Sequence, residues 1–178
     1  MRLASEALFR LPDTARLWAF GVSRALQPDE EARLLTAVDR FLDGWNAHGQ
    51  PLAAARAWLD GRFLLVGVDD SLTPPSGCSI DALVGTLREV ERAFGVEIVG
   101  GGSVWYRDAA RGGEPRTISR TDFQKEVARG AVTEDTIVFD FSLTRVEELR
   151  QGRWELPAGR SWHRRYFRVG SGPSDRLA

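Results

Sequence analysis

The chain has 178 residues, 43% of them hydrophobic and 28% charged. This is the composition of a folding globular chain, too short for two large domains at about 150 residues each. Its 24 Lys and Arg against 25 Asp and Glu leave a net charge of −1, which excludes a global field for nucleic acid or an anionic membrane and confines any basic surface to a local patch. One Cys and two His exclude an intramolecular disulfide and a zinc site built from Cys and His alone.

Residues 17–22 read as a strand with Trp18 and Phe20 on one face, because alternate strand residues share a face. Pro28-Asp29-Glu30-Glu31 is an acidic first turn for a helix. Leu34, Leu35, Val38, Phe41, Leu42 and Trp45 then recur at steps of three and four, one stripe of a helix ending near residues 46–49. Residues 54–59 and 62–68 flank Asp60-Gly61 and predict an antiparallel hairpin on a type I′ turn. The run Phe63-Leu64-Leu65-Val66 marks its second strand as buried on both faces. Pro74-Pro75 forbids helix in the loop that follows. Ile80, Leu83, Val84, Leu87, Val90 and Phe94 predict a second amphipathic helix stopped by Gly95, and residues 96–99 a fourth strand. The order is β-α-β-β-α-β, so the fold class expected is α+β, with a ferredoxin-like core of antiparallel sheet and two helices on one face. The other sheet face must be covered by residues 103–168 or by another subunit.

Gly100-Gly101-Gly102 predicts a boundary, giving a core over residues 1–100 and a C-terminal α+β extension over 101–178 packed on it. In the extension, residues 104–107 and 116–118 form a hairpin around Arg111-Gly112-Gly113, and residues 136–141 a further strand. Thr121-Asp122-Phe123-Gln124 and Thr144-Arg145-Val146-Glu147 read as capping boxes opening helices that stop at Gly130 and Gly152.

Seven groups of residues along the chain resemble a small bacterial family that carries the automatic label "ABC transporter ATPase". They are Leu11-Pro12-Asp13 with Arg16-Leu17-Trp18, Trp45-Asn46-Ala47-His48-Gly49, Arg62-Phe63-Leu64, Val68-Asp69, Ser76-Gly77-Cys78-Ser79-Ile80-Asp81, Thr136-Ile137-Val138-Phe139, and Trp154-Glu155-Leu156-Pro157-Ala158 leading to Ser161-Trp162-His163. The resemblance covers nearly the whole chain and implies a grouping, with no activity or cofactor attached. The label itself conflicts with the residues. A P-loop needs Gly-Lys-Ser/Thr, because the Lys reaches the phosphates and the hydroxyl binds magnesium. The only Lys is Lys125, in Phe123-Gln124-Lys125-Glu126, with no glycine-rich loop before it, so a P-loop ATPase is excluded.

Two segments carry candidate chemistry. In the first, Cys78 falls at a helix N-terminus, the setting in which unpaired amides and the helix dipole favour a nucleophilic or redox sulfur. Ser76, Gly77, Ser79 and Asp81 around it make an alternative small-anion site, or simply a capped helix end. Asp69 and Asp70 end the preceding strand and face the same loop, where Asp69 is the candidate acid or base. His48 reads as a helix C-cap beside Gly49. The second segment is the C-terminal run Arg160-Ser161-Trp162-His163-Arg164-Arg165-Tyr166-Phe167-Arg168. Residues 145–178 hold eight Arg against four acids, and Trp162, His163, Arg164 and Arg165 suit phosphate pairing with base stacking, or a strand whose Arg stems cover the core.

The sequence therefore predicts a binding or regulatory module without catalysis, taking a protein or an RNA-containing partner through its Arg and Trp rich end. The alternative is a small thiol enzyme or redox protein using Cys78, with Asp69 or Asp70, and His48 or His163, as the candidate proton-transfer groups. No metal or cofactor is expected, self-association is open, and the absence of a leader or apolar span predicts a cytoplasmic protein.

Overall fold

The computed structural model describes residues 3–71, 73–98 and 102–167. The chain divides into two compact units, one of residues 1–101 with 141–151 and one of residues 102–140 with 152–178. It is mixed α+β with antiparallel sheets.

The first unit runs α1 (Leu3–Leu8), β1 (Arg16–Gly21), α2 (Pro28–Asp43), β2 (Asn46–Ala47), β3 (Gln50–Pro51), β4 (Ala53–Leu59), β5 (Phe63–Asp69) and α3 (Gly77–Phe94). Its sheet has the order β1-β5-β4. Trp18 and Arg56 both sit opposite Val66, so β5 is central. The β4–β5 turn uses Asp60 and Gly61 with φ of 53° and 61°, the left-handed pair that a type I′ turn requires.

The apolar run of β5 serves two faces. Leu64, Val66 and Val68 pack with Leu34 and Val38 of α2 and Leu83, Leu87 and Val90 of α3. Phe63, Leu65 and Gly67 point the other way. There α1 closes on the strand so tightly that a Cβ on Gly67 would lie 2.5 Å from Leu8 Cδ1, and Phe63 meets Phe141 edge-on at 5.9 Å. The second sheet face is thus covered within the unit.

The predicted fourth strand does not form over residues 96–98, and Val99 lies outside the described residues. The Glu91 carboxylate takes the Ile98 N–H at 2.6 Å, and Glu97 bonds to Ser23 through its carbonyl and, via Ser23 Oγ, its N–H. These N–H groups go to side chains and build no ladder.

The outer edge of β1 instead meets residues 141–151, which contain α5 (Val146–Arg150). Leu17 N–H donates to the Thr144 carbonyl and Val146 N–H to the Ala15 carbonyl. Arg150 donates to the carbonyls of Phe9 and Leu11 at 2.6 Å and pairs with Asp13. The α5 box is closed by Glu148, which accepts from the Thr144 and Arg145 N–H groups, where the sequence pointed to Glu147.

The second unit holds β6 (Ser103–Asp108), β7 (Glu114–Ser119), α4 (Arg120–Ala128), β8 (Ile137–Phe139) and β9 (Glu155–Pro157), in the sheet order β7-β6-β8-β9. Its core is Val104, Tyr106, Phe123, Val132, Val138, Ala158 and Tyr166. The predicted 104–118 hairpin forms. The cap of α4 is Ser119, whose Oγ accepts from Asp122 N–H at 3.0 Å, two residues before the predicted Thr121. The C-terminal run is not a strand over residues 160–167, and Arg168 lies outside the described residues. It folds as two 3₁₀ turns, Ala158–Arg160 and Trp162–Tyr166, because residues 161, 164 and 167 donate to the carbonyls three residues back. No helix among the described residues is long and apolar enough to cross a membrane.

Candidate functional site

The first unit carries a cleft of about 580 Å³ at the head of α3, lined by Arg40, Trp45, His48, Ser76, Cys78 and Ser79 among others. Three local structures build it. The first is the α3 cap: Ser76 is extended, its Oγ accepts from Ser79 N–H at 3.2 Å, and Ser79 Oγ donates back to the Ser76 carbonyl at 2.8 Å. Cys78 is the second residue of the helix and is exposed. The second is the indole of Trp45, which sits in the core against Trp18 and Phe41 and donates to the Ser79 carbonyl at 2.9 Å. That bond ties the first turn of α3 to the second residue after α2.

The third is a tight β2–β3 hairpin. Helix α2 ends at Asp43 with Gly44 as its cap, short of the predicted end near residues 46–49, so His48 is not its cap. His48 and Gly49 are instead the two turn residues, with φ of 52° and 76°, and Leu52 N–H closes the loop onto the Trp45 carbonyl. A left-handed His is uncommon, and here it stands exposed at the mouth of the cleft. Arg40, exposed on the last turns of α2, lines the same cleft. Sequence reasoning did not single it out, since it lies off the apolar stripe among other charged residues and only the chain's return at 46–49 gives it a neighbourhood.

Cys78 and His48, far apart in sequence, therefore share one cleft, while the two Asp do not join them. The Ser71 side chain and N–H bond to Asp69 and hold its carboxyl below the usual range, and Asp70 pairs with Arg145 at 3.3 Å. Gly77 and Asp81 are exposed, and neither lines the cleft. Among the described residues no three His, Cys, Asp or Glu side chains are placed to hold a metal. The buried Trp58 Nε1 and Arg56 Nη1 have no partner there, and they lie away from the cleft.

The C-terminal candidates divide differently. His163 is 1% exposed, stacked on Trp162 at 3.7 Å and 27°, with Phe123 at 5.8 Å. Burial pushes its pKa down to about 4, against a counter-pull from Asp140. Its Nδ1 lies 2.9 Å from Ser161 Oγ. Ser161, His163 and Asp140 are residue types that hydrolases combine, but all three are buried. The Ser161 hydroxyl also receives the His163 N–H and contacts the Ala158 carbonyl, which makes it a cap. Arg160, Arg164 and Arg165 are exposed. The Arg165 guanidinium lies over Trp162 at 4.5 Å and Tyr166 at 5.2 Å, and Arg120 lies 5.9 Å from the same Trp162 ring.

No family model, curated protein or solved structure matches the chain. Within the chain itself, two of the residue groups that carry the resemblance, residues 45–49 and 76–81, supply much of the cleft lining.

Proposed function

We propose that the cleft at the head of α3 is the functional centre of the first unit and that Cys78 is its reacting group in a thiol-dependent reaction. The observation that supports this is the meeting of an exposed Cys78, His48 and Arg40 around one concave site. In this reading the Cys78 sulfur attacks an electrophilic carbon of a small molecule: the S–C bond forms as the bond from that carbon to its leaving group breaks, the Cys78 proton passes to His48 and from it to the departing group, and Arg40 holds an anionic group of the substrate.

Timed alkylation with neutral iodoacetamide and anionic iodoacetate tests it. Cys78 in the folded protein should react at least as fast as in the urea-unfolded chain. Arg40→Ala should slow only the anionic reagent, and His48→Ala both. A folded thiol slower than the unfolded one overturns the reading.

The partner-binding module that the sequence placed first becomes the second reading. His163 is buried and the half-buried Trp162 ring stacks on it, which leaves Arg164 and Arg165 as the exposed members of the module's four contact residues. What favours it is Arg160 and Arg164, exposed and without an ion pair among the described residues. On this reading the second unit binds an anionic protein or RNA-containing partner. We also read the first unit as ferredoxin-like, supported by the β1-β5-β4 order with α2 against α3 and by residues 96–98 bonding beside Ser23, where a fourth strand would continue. A bacterial, cytoplasmic protein of the resembled family fits both readings.

A further inference from the structure

We infer that Arg160, Arg164 and Arg165 of the second unit bind the phosphate backbone of duplex nucleic acid without reading its bases. This rests on the second reading above and names its ligand. The three Arg fall within six residues on two consecutive 3₁₀ turns. Among the described residues none of them forms an ion pair, although the Glu134 side chain lies beside Gly159.

The aromatic residues decide which anion is favoured. Binding single strands relies on stacking bases on open aromatic faces. With the His163 ring at 3.7 Å and guanidinium groups at 4.5 and 5.9 Å, Trp162 is already stacked, and Tyr166 is buried. A protein interface relies on exposed apolar or aromatic anchors. The large hydrophobic side chain that stands exposed among the described residues is Phe9, in the first unit. What the segment offers is fixed positive charge: Arg165 is clamped over two rings and Arg160 and Arg164 are free to pair. Guanidinium groups pair bidentately with phosphate oxygens, and backbone contacts carry no sequence information.

Fluorescence anisotropy of the full chain with two unrelated 20-bp RNA duplexes tests this, with an RNA single strand and polyglutamate as competitors. Three phosphate contacts predict a log–log salt slope of about −2.7, a loss of roughly 40-fold between 50 and 200 mM salt. Both duplexes should bind equally. The double variant Arg160→Gln/Arg164→Gln, at exposed positions that leave the fold intact by circular dichroism, should bring the slope to about −1. Absence of duplex binding at 50 mM salt, sequence preference, an unchanged slope in the variant, or stronger competition by the single strand overturns the inference. Capture of polyglutamate without duplex would overturn it and leave the anionic-partner reading standing. Capture of neither overturns both.

Discussion

His163 is the residue at which acidity and packing meet. Buried and neutral, with a pKa of about 4 against an ordinary 6.5, it binds no proton in the fold over a range in which the unfolded chain does. Stability is therefore fully present above pH 6.5 and falls as the pH drops through that value towards 4, by about 2 kcal/mol at pH 5. Urea unfolding at pH 7.5 and 5.0 measures it. His163→Phe should lose that share of the pH dependence while keeping the stack on Trp162. Equal losses in the two proteins would mean that the imidazole is already charged in the fold. Gly67 makes a second residue-scale test. Gly67→Ala drives a methyl into Leu8 and Leu11 at 2.5 and 2.8 Å, and since Leu8 is fully buried the variant should lose about 1–2 kcal/mol. An unchanged melting temperature would show that α1 shifts freely.

Among the elements, those written in long periodic patterns were legible. The stripe from Leu34 to Leu42 gave α2, which stops before Trp45, the last residue of the stripe; Asp60-Gly61 gave the hairpin turn, and Gly95 gave the end of α3. Elements decided by tertiary partners were not. Residues 96–98 have strand composition, yet Glu91 and Ser23 take their N–H groups. Residues 160–168 alternate as a strand would, yet Ser161 caps a 3₁₀ turn. At the site, the sequence put Cys78 at a helix head with His48 and His163 as equal candidates to serve it, and no spacing chose between them, because a two-residue hairpin turn and a helix C-cap both call for Gly49 at positive φ. The α3 cap offers the test proper to this scale. Ser76→Ala removes the acceptor for Ser79 N–H and should cost about 1 kcal/mol, with Ser76→Gly costing only a few tenths. Equal losses from the two variants in chemical denaturation would mean that Ser76 stabilises by packing.

At the scale of the whole molecule, the first unit is assembled from two stretches of chain, and the shorter one is bonded to it at many points. Residues 144–147 bond to Asp13, Ala15 and Leu17, and Arg145 and Arg150 reach Thr14, Asp70, Asp13 and two carbonyls before it. A fragment of residues 1–101 lacks these bonds and leaves the β1 edge open. It should unfold at clearly lower denaturant than the first unit does within the full chain. A peptide of residues 141–151 added in excess should recover part of the difference. A fragment as stable as the parent unit would show that the returning segment contributes nothing.

The same discontinuity sets a timetable for synthesis. A ribosome adds about 5–20 residues per second, so after Gly101 emerges the first unit waits roughly 3–10 s for Gln151, about fifty residues later. Over that interval the nascent chain presents an unpaired strand edge and the uncovered side of Phe63. Those few seconds are when a chaperone, or a neighbouring copy on the same message, would find this protein most receptive.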